Sequence, residues 1–139
     1  MLTESIFDFT LLKNAQILLT LFLAILFLQS GLDKVFAFQS NKTYIAEVFS
    51  RTFLKPVAGF LFLIIIFLEV AAGLLTLGGA WVYYSQGQDD IAILGIEVAA
   101  VSLLSLFFGQ RIAKDYAGAA ALVPYFLLSI FGLFLFSLT

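Results

Sequence analysis

The chain has 139 residues, of which 63% are hydrophobic and 12% charged, with a net charge of −2. Soluble domains carry about 45–50% apolar and about 25% charged residues, so this composition is that of a membrane protein, and so small a charge argues against a nucleic-acid partner. The absence of cysteine and histidine excludes thiol chemistry, a Cys-held iron–sulfur cluster and histidine-ligated haem, and leaves only carboxylates from which a metal site could be built.

Four segments reach the roughly 20 apolar residues needed to cross a bilayer core of about 30 Å. The first runs from about Ala15 to Leu32 and continues helically to Phe38. Its leader, MLTESIFDFTLLKN, is as acidic as it is basic, and no small-x-small site follows the apolar run, so the segment is expected to be retained rather than cleaved. From Asn41 to Leu54, Tyr44, Ile45, Val48, Phe49 and Phe53 share one face, opposite Lys42, Glu47, Ser50 and Arg51. That pattern predicts a short amphipathic helix lying in the membrane interface or docking a partner, with Ser40 or Asn41 as N-cap. The second span is Pro56 to Gly79, with Pro56 in a first turn where its missing N–H is harmless. The third is about Ile91 to Gly109 and the fourth about Tyr116 to Leu138. The expected fold is all-α: one membrane domain, residues 1–139, built as an antiparallel four-transmembrane-helix bundle.

Orientation follows from the cations of the short connections. Lys34, Lys42, Arg51 and Lys55 lie between the first two spans and Arg111 and Lys114 between the last two, against Lys13 alone on the other side. Both cation-rich loops are therefore expected in the cytoplasm and both termini outside, with Trp81, Tyr83 and Tyr84 in the outer aromatic belt. The net charge then resolves into +3 inside, −3 outside (Lys13 against Glu4, Asp8, Asp89 and Asp90), and −2 from Glu69 and Glu97 within the spans.

Small and weakly polar side chains form stripes at helical spacing. Lys13, Gln16, Thr20, Ala24, Phe27, Gly31 and Lys34 line the first span. Glu69, Ala72, Gly73 and Thr76 share a face of the second, and Gly118, Ala121, Tyr125, Ser129 and Gly132 one of the fourth. Membrane helices approach one another along such stripes. In the third span Ala92, Gly95, Ala99 and Ser102 lie opposite Glu97, so either that stripe or Glu97 meets a second subunit.

An intramembrane carboxylate costs about 2.5–3.5 kcal/mol at a helix centre and usually marks an interior or a wet cavity. Counted from Gly79 and Ile91, Glu69 and Glu97 come to similar depths, roughly 9–15 Å inside the outer boundary. Facing each other they would suit proton exchange, quinone hydrogen bonding or cation coordination. The structural alternative for Glu69 is a buried hydrogen bond to Gln16, Thr20 or Tyr125. A second cluster lies at the cytoplasmic ends, where Asp33 is expected to pair with Arg111 or Lys114, and Lys34 with Asp115. Such a cluster either pins the helix ends or forms a polar mouth for an anionic headgroup or a quinone ring. Pro124 predicts a kink nearby.

The run Phe27-Leu28-Gln29-Ser30-Gly31-Leu32-Asp33-Lys34 resembles the end of the first helix in the DoxX-like small bacterial membrane proteins. Glu69-Val70-Ala71-Ala72-Gly73-Leu74-Leu75 with Gly78 is similar to their second-helix signature, and four spans in a chain of this length match as well. The resemblance implies a bacterial inner-membrane protein, associated with quinol oxidation or thiosulfate:quinone oxidoreduction or with other membrane redox complexes. The chain departs from many members in having Gln16 and no arginine early in the first helix, and no histidine anywhere. Three functions follow as expectations. The first is a non-catalytic subunit that binds a membrane-protein partner, a lipid or a quinone through Glu69, Glu97, Asp33, Lys34, Arg111, Lys114 and Asp115. The second is a quinol-interacting oxidoreductase component with Glu69 or Glu97 as proton acceptor. The third is a small transporter or channel built as a homo-oligomer.

Overall fold

The computed structural model describes residues 2–139, with side chains from residue 9 onward, and over that stretch it is helical with no strand. The order is α1 (Leu2–Phe36), α2 (Phe38–Val48), a 3-10 turn (Lys55–Val57), α3 (Ala58–Gln86), α4 (Asp90–Ile112) and α5 (Tyr116–Ser137). Glu4 and Asp8, counted above with the outer anions, lie outside the described side chains. Four stretches are long and apolar enough to cross a bilayer: Phe9–Phe36, Lys55–Gln86, Asp90–Ile112 and Tyr116–Ser137. The outer surface of these helices is itself apolar, with Phe22, Ile25, Phe60, Phe67, Leu127 and Phe131 all exposed. An apolar exterior around an apolar interior is what lipid demands of its solute. The chain is a multi-pass membrane protein.

Several boundaries differ from the sequence reading. The helix expected over Asn41–Leu54 is α2, which ends at Val48 and is followed by turns, so Ser50, Arg51 and Phe53 lie beyond it. α1 begins at Leu2 rather than near Ala15, because its polar first turns continue the helix beyond the apolar run. At its other end α1 passes almost directly into α2. The Asn41 N–H donates to the Ala37 carbonyl (3.0 Å), so the backbone ladder hardly lapses. Ser40 and Asn41 therefore do not cap α2; both side chains donate to that same carbonyl instead. α3 runs past Gly79 to Gln86 and stops at Gly87, whose φ of 73° gives the left-handed cap that glycine adopts without strain. Pro56 sits in the 3-10 turn that leads into α3, and α5 is helical through Pro124.

α3 packs against α1 on one side and α4 on the other, α5 lies against α4, and a thinner contact between α1 and α5 closes the ring. Glycines set the closest approaches. A Cβ on Gly79 would strike the Ala92 backbone, and one on Gly95 would come within 2.7 Å of the Thr76 backbone nitrogen. Gly31 and Gly73 bring α1 as close to α3, at Val70 and Leu28. Gln16, Thr20, Ala24, Phe27 and Gly31 of the α1 stripe are buried, as are Glu69, Ala72, Gly73 and Thr76 of α3 and Ala92, Gly95, Ala99 and Ser102 of α4. On α5 only part of the expected stripe turns inward: Ser129 and Gly132 are buried, whereas Ala121 is exposed. Leu19, Leu23, Phe27, Ile96, Leu103 and Phe136 fill the centre.

At the end of the molecule that holds the α3–α4 turn, Gln16 ties three helices together. Its amide nitrogen donates to the Leu135 carbonyl (2.9 Å) and to the Thr139 hydroxyl (3.2 Å), while its oxygen accepts from the Tyr83 hydroxyl. Tyr83 is thus an interior residue, not a member of the aromatic belt; Trp81 and Tyr84 are the exposed pair. Gln16→Leu would leave the buried Tyr83 hydroxyl and the Leu135 carbonyl without this partner. Thermal unfolding in detergent should register a loss of about 1–3 kcal/mol. The double variant Gln16→Leu/Tyr83→Phe should recover part of it, and no recovery would contradict the network.

Candidate functional site

At the opposite end, close packing and charge coincide. Ser30 and Lys34 stand one helical turn apart on α1, so both side chains look toward α3. Facing them is Glu69, 1% exposed. The Lys34 ammonium lies 2.9 Å from Glu69 Oε2 and donates to Oε1 (3.3 Å) and to Ser30 Oγ (2.8 Å); the Ser30 hydroxyl in turn donates to Oε1 (3.1 Å). The neighbouring glycine, Gly31, permits this geometry, since a Cβ there would come within 2.8 Å of Val70. The Lys34 side chain keeps 24% exposure against 2% for Glu69. Its aliphatic stem follows the helix while the charged end bridges the interior and the rim.

Glu69 and Ser30 also line a cavity of about 70 Å³, completed by Leu26, Phe27, Leu103, Leu106, Leu122 and Tyr125. That volume accommodates a few small polar atoms rather than a whole ring. Beside it lies a wholly apolar cleft of about 150 Å³ between α4 and α5, walled by Leu103, Leu104, Phe107, Leu122, Val123 and Phe126. Leu103 and Leu122 belong to both. Polar capacity remains at this level of the fold: Glu69 Oε2 has its ion contact but no aligned hydrogen bond, and the buried Ser102 Oγ has no partner among the described residues. Gly79 lies opposite Ala92 and Gly95 opposite Thr76, a register that brings Ser102 level with Glu69.

The same register separates the two carboxylates. Glu97 is level with Leu74, about 7.5 Å along the helix from Glu69, and it points out of the molecule, exposed. The small stripe of α4 meets α3, and Glu97 takes the opposite face. The two do not form a facing pair. Gly79 does lie opposite Ala92, so the count from Gly79 and Ile91 holds, but ten residues against six is a difference of about 6 Å, too large for a facing pair. Nor does Glu69 bond to Gln16, Thr20 or Tyr125. Gln16 belongs to the network at the other end, and the Thr20 hydroxyl donates to the Gln16 carbonyl.

The expected pairs at the cation-rich end are also replaced. Among the described residues no ion pair joins Asp33 to Arg111 or Lys114, or Lys34 to Asp115, because Lys34 is drawn inward by Glu69. Asp33 is exposed. The Arg111 guanidinium lies 4.5 Å from the centre of the Tyr116 ring. Lys114 takes a left-handed conformation (φ 61°) in the tight α4–α5 turn. Asp115 caps α5 by accepting from the Gly118 N–H (3.0 Å). Arg111, Lys114 and Asp115 thus shape the α4–α5 turn. Of the sequence-chosen residues, Glu69 alone lines a cavity, together with Ser30 and Tyr125, and Lys34 is paired to it. Ser30 was legible as a partner from its position one turn before Lys34. The chain matches no family model, no curated protein and no solved structure in comparisons with known proteins.

Proposed function

We propose that this chain is a DoxX-like, non-catalytic module of a bacterial inner-membrane complex that holds the head of a lipid-soluble amphiphile of quinone type. The observation that carries the reading is the Lys34–Glu69 pair, sunk between α1 and α3 at the wall of a cavity that also presents Ser30 and Tyr125. A ring oxygen entering that cavity meets the hydroxyls of Ser30 and Tyr125 and the Glu69 carboxyl on its wall, with Lys34 held on Glu69. The adjoining apolar cleft, comparable to cavities that take up benzene, suits the ring edge or the first unit of a tail. In this reading the four spans form an antiparallel bundle and α2 lies in the interface, with its exposed Tyr44 and the neighbouring Phe53 toward lipid. The cation-rich end faces the cytoplasm and both termini lie outside.

Binding is tested on purified protein in lipid nanodiscs with a short-tailed benzoquinone and its quinol. Saturable stabilisation is expected, reaching about 2.7 kcal/mol at a hundredfold excess over Kd, and Ser30→Ala and Tyr125→Phe should each weaken it. No saturable shift with either form would refute the ligand assignment. A C-terminal reporter active only in the cytoplasm would overturn the orientation.

A further inference from the structure

Among the described residues, Asp33 and Asp90 are exposed near helix ends, whereas Glu97 is exposed well inside a span. It lies about 10 Å along α4 from Asp90, within the hydrocarbon of a spanning helix. The cations of the molecule are engaged or distant: Lys34 is on Glu69, Lys13 stands over the Tyr83 ring (5.2 Å) and Arg111 over the Tyr116 ring. An exposed carboxylate at this depth is costly unless a partner meets it. Its setting is regular. Leu94, Glu97, Val101, Leu104 and Phe108 are all exposed and follow alternating steps of three and four, the repeat by which two membrane helices pack with a left-handed crossing of about 20°.

We infer that this face of α4 is a homodimer interface, with Glu97 meeting Glu97 of a second copy across a two-fold axis normal to the membrane. Copies inserted in the same orientation carry the residue at one depth, which a different protein would have to match independently. A carboxyl group holding its proton both donates and accepts, so the pair is complementary to itself, as an isologous contact requires. The inner face cannot serve, because Ala92, Gly95, Ala99 and Ser102 are already buried against the rest of the chain. The proposed interface shares Leu104 with the apolar cleft beside the amphiphile site, whereas Leu94, Glu97 and Val101 line neither cavity.

The absence of native cysteine makes the test direct. Single cysteines are introduced at Leu94 and Val101, and, as controls on other lipid-facing helices, at Phe67 and Leu127, and the membranes are oxidised. Leu94→Cys and Val101→Cys should give covalent dimers of this chain and the controls none. Adding Glu97→Leu to Leu94→Cys should reduce cross-linking about tenfold, and Glu97→Gln, which still donates and accepts, should retain most of it. Glu97 packs against nothing in the core, so both variants should elute as folded protein. Equal cross-linking at the controls, indifference to Glu97→Leu, or cross-linking only to a different protein would overturn the inference.

Discussion

Lys34→Met should destabilise the protein far more than Glu69→Leu, and the two together should be nearly harmless. Lys34→Met strands a carboxylate that is 1% exposed, and breaking a buried pair in this way costs about 3–5 kcal/mol. Glu69→Leu strands an ammonium whose side chain is 24% exposed. Standing at the end of α1, it can turn to the rim and recover hydration, so about 1–2 kcal/mol is expected. Replacing both by apolar groups removes both desolvation penalties, and such swaps are often neutral or stabilising. Unfolding of the three variants in mixed micelles checks the cycle. Equal losses in the single variants, or additive losses in the double, would contradict the burial asymmetry on which the site rests.

Gly79→Ala and Gly78→Ala should have opposite effects although they are adjacent. A Cβ on Gly79 would collide with the Ala92 backbone, which cannot swing aside as a side chain can. The α3–α4 contact would have to open, at a cost of about 1–3 kcal/mol or more. A methyl group on Gly78 would meet nothing within 4 Å, so alanine there gains helix propensity of about 0.5–1 kcal/mol. Thermal unfolding of the pair decides it, and a harmless Gly79→Ala would contradict the close approach.

Much of this arrangement was legible in the chain. Span lengths follow from hydropathy, and the inward stripes of α1, α3 and α4 follow from small and polar residues at helical spacing, since those side chains are the ones that let backbones approach. Even the choice on α4 was posed correctly: once the Ala92–Ser102 stripe meets α3, Glu97 must face outward. The end of α3 was not legible. Gly78 and Gly79 read as a helix end, but α3 continues through both, and the stop lies at Gly87. The register of α3 against its neighbours is unaffected by that end; Glu97 is kept from Glu69 because it takes the outward face of α4. The pairing of Lys34 was hidden as well. A lysine in a cytoplasmic turn reads as a topology signal, and nothing local in the sequence tells that its long stem reaches across to α3. With Lys34 on Glu69, one of the two intramembrane charges is compensated within the fold and Glu97 is left as the other.

The central claim is that the Ser30–Lys34–Glu69 cluster binds a ligand rather than merely fastening α1 to α3. The most direct measurement extracts wild type and Lys34→Met/Glu69→Leu from the same membranes and quantifies bound quinone-type amphiphile by mass spectrometry. Stoichiometric ligand is expected on wild type, together with its loss from a double variant that unfolds no more readily. Equal retention by both proteins, or no amphiphile on either, would contradict the claim.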